Sequence, residues 1–271
     1  MVIFMTATSS AVKHTAKTAL KNNWPKAAAV CVIPVCAWLI VGLAASLAAF
    51  VANETVGTVL FAVLSFFLLL PLFLGVIRFF WRMIFGADDS PVSVFYWFSG
   101  KSNYLRAVKL ELLLTVRALF FGVILFIPAM IVDLFSGSFL YDALKIPIPL
   151  WTSNLYYLSL FLKSVASVIL AFVMARYYMA PFLLIADEDM DAAEAIHMSD
   201  VISKSTMLDF IYLFFSLLGW MILSVLIIPI MFTLPYIITS VSVHTRFAVA
   251  EYNKRVDKQN SDTFPTFVAG I

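Results

Sequence analysis

Apolar residues along this 271-residue chain neither alternate nor keep to one helical face; they gather in long uncharged runs broken by short polar stretches. Ala27–Val51 and Thr55–Ile77 each supply about the 20 residues a helix needs to cross about 30 Å of hydrocarbon, and Asn53-Glu54 between them marks a tight turn. Leu110–Val132 is a third run, with Glu111 and Arg117 near its start and Asp133 at its end. Ile146–Ala186 is too long for one crossing. Its second part, Ser164–Ala186, reads as a fourth span after an interfacial segment containing Tyr156, Tyr157 and Phe161, with an earlier start of the fourth helix as the alternative. From Phe210 to Val249 the chain is again too long for one helix, and Pro229 is the natural place to divide it into spans 210–228 and 230–249.

The pattern predicts an all-α polytopic membrane protein with six transmembrane helices arranged as three hairpins. A short amphipathic cytoplasmic helix is expected before each hairpin: Ser10–Asn22, Val92–Tyr104 and Asp191–Ser205. In the first, Ala11, Ala16, Ala19 and Leu20 oppose Lys13, Lys17 and Lys21, which suits a helix lying in the headgroup region. The organisation is then a cytoplasmic N-terminal segment 1–26, a membrane domain 27–250 and a cytoplasmic tail 251–271. Leu70-Pro71 and Leu234-Pro235 are each followed, eleven residues after the proline, by Arg82 and Arg246. This spacing fits three copies of one plan, and equally fits any six-span protein with interfacial linkers.

Composition agrees with the run pattern. Hydrophobic residues make up 63% and charged residues 13% of the chain, with a mean hydropathy of +0.98, whereas globular domains are about half apolar and about a quarter charged. A soluble single domain is excluded. With 18 Lys and Arg against 16 Asp and Glu, the net charge of +2 implies no basic surface for nucleic acid. The distribution of cations carries more information than their sum. Fourteen Lys and Arg, from Lys13 to Lys258, fall on the side of the termini, and Lys145 alone on the other, which predicts a cytoplasmic membrane with both termini in the cytoplasm. Trp24, Trp81, Trp97 and Trp151 near span ends suit interfacial belts. Cys31 and Cys36 are five residues apart on one helix, about 7.5 Å along its axis and on different faces, so packing rather than a disulfide is expected.

Candidate chemistry is sparse. Asp187-Glu188-Asp189-Met190-Asp191 has the look of a cation loop, but Ala192 stands at the sixth position and Met198 at the twelfth, where an EF-hand needs glycine and glutamate. Asp191-x-x-Glu194 reads instead as a helix cap, and the acidic stretch Asp187, Glu188, Asp189, Asp191 and Glu194 as a surface for a protein partner, since an anionic leaflet would repel it. No metal or cofactor is expected. Arg176 lies ten residues, roughly 15 Å of helix, before Ala186, too deep to snorkel easily. It is expected to face the bundle interior, with Glu111 and Asp209 as carboxylate partners if the fourth helix breaks near Pro181, or else to bind an anionic substrate or headgroup. Arg117, seven residues inside its span, can reach the interface. No H-E-x-x-H, nucleotide-binding glycine loop or assembled serine–histidine pair is present, and His14, His197 and His244 are scattered, so no catalytic residues are assigned.

Four stretches resemble one bacterial family of integral-membrane proteins, the domain-of-unknown-function family nine-seven-five. They are Trp97-Phe98-Ser99-Gly100 with Asn103-Tyr104 and Arg106-Ala107; Ile127-Pro128, with Ala129 where the family has glycine; Tyr178-Met179-Ala180-Pro181 through Ile185-Ala186-Asp187, continuing to Ala193-Glu194-Ala195-Ile196 and Ser199; and Gly219-Trp220 with Leu234-Pro235-Tyr236. The stretch from Arg176 to Ser199 is also similar to the membrane portion of some glycerophosphodiester phosphodiesterases. The resemblance implies a six-helix bacterial cytoplasmic-membrane protein and supplies no catalytic residues. The function expected is that of a non-enzymatic interaction or accessory component of an export, envelope or self-protection system, with a transporter or channel for a small solute or lipid as the alternative.

Overall fold

A computed structural model of the chain describes residues 9–135, 152–224 and 227–263. These are mostly helical, with no strand among the described residues. The helices are α1 (Ser9–Leu20), α2 (Trp24–Val51), α3 (Glu54–Leu64), α4 (Leu70–Ile84), α5 (Lys101–Phe135), α6 (Thr152–Met174), α7 (Ala180–Ala186), α8 (Ala192–Leu223) and α9 (Ile227–Thr263). Five stretches are long and apolar enough to cross a membrane: Trp24–Val51, Glu54–Ile84, Lys101–Phe135, Asn154–Ala186 and Ala192–Leu223. The chain is thus a membrane protein. The sixth expected span, 230–249, is helical within α9 but is not among these five. Lys145, Trp151 and the start of the expected interfacial segment lie outside the described residues.

The chain forms two compact units, Met1–Glu111 with Met179–Ile271, and Leu112–Tyr178. In the first, α9 is the hub, with α1, α2, α4 and α8 packed against it. Its hydroxyl side chains explain how one helix accommodates four neighbours. Thr239, Ser240, Ser242 and Thr245 are all buried, and each donates to the carbonyl four residues back: Pro235, Tyr236, Ile238 and Val241, at 2.7, 2.7, 2.8 and 3.0 Å. The donors are satisfied within the helix, so small side chains can face neighbouring helices without stranded protons.

Three sequence expectations about the linkers need correction. Helix α1 is separate and amphipathic, but Val12, Ala16 and Leu20 are fully buried among residues of α4, α8 and α9 rather than turned to lipid. Lys13 Nζ donates to the Ser216 carbonyl at 2.9 Å, leaving Lys17 and Lys21 on the outer face. In place of the second amphipathic helix, Pro91–Phe98 forms a 3-10 turn against α4, and α5 then starts at Lys101 and runs unbroken for 35 residues. The third is simply the first half of α8, whose Ala195, Ile196, Ser199, Ile202 and Ser203 are buried. The last division falls at Ser224, before Pro229, which sits in the first turn of α9, where a missing amide proton costs nothing. Trp81 and Trp97, expected in interfacial belts, are buried instead; Trp81 packs on Phe182 and Phe85, ring centroids 5.7 and 5.2 Å away. Cys31 is buried and Cys36 exposed, both free, on different faces as the spacing predicts.

Between α3 and α4 the helix widens into one π turn, Ser65–Leu69, in which the Leu70 amide donates to the Ser65 carbonyl. Pro71 follows and has no amide proton to offer the Phe67 carbonyl four residues back. Tyr104 fills the gap from α5, its hydroxyl donating to Phe67 O at 2.9 Å. Tyr104→Phe strands that carbonyl, and is expected to cost about 1 kcal/mol in the thermal stability of detergent-purified protein.

The end of α4 is closed by a Schellman turn. Gly86 takes φ +82°, where a Cβ would be strained, and the Gly86 and Ala87 amides donate to Met83 and Arg82 carbonyls at 3.0 and 3.1 Å. Arg246 of α9 donates to the Ile84 carbonyl at 3.1 Å and lies over the Phe85 ring, placing a cation at the negative end of α4. Arg82 pairs with Asp89 at 2.7 Å and Lys26 with Asp88. The two arginines that share a spacing after Leu-Pro therefore reach the same helix end.

The second unit contains the rest of α5 and all of α6. Near one end Asp133 pairs with Lys163 at 2.7 Å and accepts from Ser159, and further along Gly122 lies against Leu170. After Met174 the chain tightens into a 3-10 turn, Ala175–Tyr177.

Candidate functional site

The acidic stretch singled out in the sequence joins α7 to α8 in the first unit, and α5 holds it in place. Arg106 and Lys109 are three residues apart, hence on one face of α5, beside the buried Ala107 and Leu110. From there Arg106 Nη2 donates to three carbonyls, Asp187 and Met190 at 2.9 Å and Leu184 at 3.4 Å. Leu184 lies in the last turn of α7, whose orphan carbonyls and negative dipole end favour a guanidinium. Lys109 Nζ meets both carboxylate oxygens of Asp191, at 2.7 and 3.0 Å.

Asp191 has two tasks. As the N-cap of α8 it accepts from the Ala193 amide at 3.4 Å, as the sequence pattern predicts, with Glu194 in the first turn at the positive end of the helix. Asp187 turns inward on the linker itself, its Oδ1 accepting from the Asp189 amide at 2.9 Å. Glu188, Asp189 and Glu194 point outward and are exposed, and Arg78 is the electrostatic neighbour of Glu188. Among the described residues no three His, Cys, Asp or Glu side chains come together as a metal site would require.

The hydrogen bond from Lys109 holds the Asp191 carboxyl below its ordinary value, with the Ala193 and Ala192 amides adding to the effect. A carboxyl whose folded value is lowered stabilises the fold above its unfolded value of about 3.9, and loses that contribution as pH falls through the lowered value. Hydrogen exchange across the linker, corrected for intrinsic rates, is accordingly expected to rise on acidification below about pH 4. In Lys109→Met the acid-dependent rise is smaller, because without the amine less of the contribution remains to be lost.

The intramembrane candidates are placed differently from one another. Arg176 lies half-buried in the 3-10 turn Ala175–Tyr177, so the helix break expected near Pro181 comes earlier and contains the arginine itself, while Pro181 starts α7. Arg117 has its guanidinium 5.6 Å from the Tyr177 ring centroid, an aromatic contact in the same unit. Glu111 is half-buried on α5. Asp209, on α8, has Glu251 and Arg255 of α9 as its electrostatic neighbours, and those two form an ion pair one turn apart. Glu111 and Asp209 belong to the first unit and Arg176 to the second.

Arg106 and Lys109 were missed from the sequence. Their partners lie about 80 residues away, and the available signal was two cations on one face at the polar start of a span, a pattern that positive-inside sorting also produces.

No curated protein and no solved structure matches the chain, and the likeness to the membrane portion of glycerophosphodiester phosphodiesterases finds no support. The family described as protein of unknown function (DUF975) matches residues 2–247, and with that match spanning most of its length the chain belongs to this family.

Proposed function

We propose that this protein is a non-enzymatic multi-pass membrane protein that works by interaction, as an accessory component of an export, envelope or self-protection system. The α7–α8 linker is its contact surface. The observation that carries this reading is the clamp: Arg106 and Lys109 fix the linker backbone and Asp191 while Glu188, Asp189 and Glu194 stay exposed. A surface ordered before binding loses less conformational entropy on binding, and exposed carboxylates steer a partner with a basic surface. The asymmetry of Lys and Arg supports a bacterial cytoplasmic membrane with both termini inside, which puts the linker in the cytoplasm.

The test is affinity purification in mild detergent with mass spectrometry of co-purifying proteins, comparing the native chain with a Glu188→Lys, Asp189→Lys, Glu194→Lys variant. A stoichiometric protein lost from the charge-reversed variant is the expected result; an unchanged set of co-purifying proteins sinks the assignment of the surface. A second reading, transport of a small solute or lipid, draws on Arg176 lying in a helix break, the kind of site where transporters expose charge and backbone to a substrate. A ligand-dependent stability shift abolished in well-folded Arg176→Gln would favour it over the first.

A further inference from the structure

The α2–α3 hairpin encloses a feature that the contact surface does not use. The stripe from Gly42 to Ala49 on α2 and that from Glu54 to Phe61 on α3 each recur at helical spacing, and small residues on both sides let the helices meet closely. A Cβ on Gly57 would come within 2.5 Å of Ala49 Cβ and 2.7 Å of the Ala45 carbonyl. Where the stripes face outward they leave an open groove of about 390 Å³, within the size range of small-molecule sites.

The polar chemistry of this groove is one-sided. The Ser46 hydroxyl donates its proton to the Gly42 carbonyl and the Thr58 hydroxyl to the Glu54 carbonyl, both at 2.9 Å. What these hydroxyls have left are lone pairs, and an ionised carboxylate has nothing else. Glu54 is also the single charged residue between positions 27 and 77, and it stands at the hairpin turn, where a span meets the headgroup layer. An occupant must therefore be apolar along most of its length and carry N–H donors and positive charge at one end. A second copy of this chain fails that requirement. A two-fold contact through the groove would set Glu54 against Glu54 and acceptor against acceptor.

We propose that the groove holds an acyl chain of a phospholipid whose headgroup bears a primary ammonium, with the ammonium donating to the Glu54 carboxylate. Leu43, Leu47 and Phe50, exposed on α2, extend the apolar surface beside it.

The test is native mass spectrometry of the full chain in mild detergent with equal amounts of phosphatidylethanolamine, phosphatidylcholine and phosphatidylglycerol. The native protein retains phosphatidylethanolamine by about tenfold or more over the other two, the scale of one charge-assisted hydrogen bond. Phosphatidylcholine separates N–H donation from charge alone. Glu54→Gln brings the three lipids close to parity while keeping a bound chain. A Cβ on Gly42 meets nothing within 4 Å, so Gly42→Leu fills the groove without straining the backbone, and it loses the lipid. If Gly42→Leu is not monodisperse, Ser46→Leu, at an exposed position, replaces it. Equal retention of the three lipids by the native protein, undiminished phosphatidylethanolamine on the filled groove, or disulfide cross-linking of two Gly42→Cys chains in place of a lipid would each overturn the proposal.

Discussion

Gly75→Ala is expected to cost about 3 kcal/mol or more, or to prevent recovery of monodisperse protein altogether. A Cβ built on Gly75 falls 1.8 Å from the Val94 carbonyl oxygen, 2.7 Å from its carbon and 3.0 Å from its Cα. All three are backbone atoms of the 3-10 turn Pro91–Phe98, so no side-chain rotation relieves the contact. The turn cannot easily retreat, because Val94 and Trp97 are fully buried and it packs on α2 as well as α4. Relief requires prising a buried turn off two helices. Gly42→Ala is the control, with open space around its new methyl group and an expected gain of about 0.5–1 kcal/mol from helix propensity. Thermal loss of monodisperse protein in one detergent compares the two. A Gly75→Ala protein as stable as the control would show that the α4 backbone does not meet the turn as described.

The second large effect is expected from Arg106→Ala, and it is local. The substitution removes three hydrogen bonds from a charged donor and leaves the Leu184, Asp187 and Met190 carbonyls without it. The three contacts share the two protons of one Nη2, so the net loss is about that of a single hydrogen bond to a charged group, about 1.5–3 kcal/mol. Hydrogen exchange through residues 184–191 should accelerate roughly 30- to 100-fold, while the α9 hub keeps its protection. Arg106→Lys keeps the charge but not the planar fork and recovers only part of the loss. Uniform loosening of the first unit, or no change in the linker, would show that Arg106 does not act as its clamp.

The sequence and the structure agree where physics is local and diverge where it is not. Helices and spans are legible because a backbone in lipid must satisfy its own hydrogen bonds, and apolar runs of sufficient length leave few other solutions. The Asp191 cap was legible for the same reason, its partner being two residues away. The linkers were misjudged because polar residues at the edge of a span suit an interfacial helix and the extended start of a span equally well, as Lys101–Lys109 and Asp191–Ser205 show. The role of α9 as a hub was not legible, because hydroxyls within an apolar run do not say which neighbours they will face, although each is buried and bonded to its own helix. Of the linker, the sequence singles out the five carboxylates but not the two cations, Arg106 and Lys109, that bond its carbonyls and Asp191. Which distant carbonyls a lone Arg will reach is a tertiary fact that spacing along α5 does not encode.

The position of the hub in the chain bears on how the protein is made. Helix α9 follows every helix that packs against it, so α1, α2 and α4 wait while more than a hundred further residues are synthesised. During that interval the apolar face of α1 lacks the α9 surface that completes its burial, and until α8 is made Lys13 also lacks the Ser216 carbonyl to which it will donate. Premature termination before residue 227 would release a chain whose earlier helices never meet their common partner.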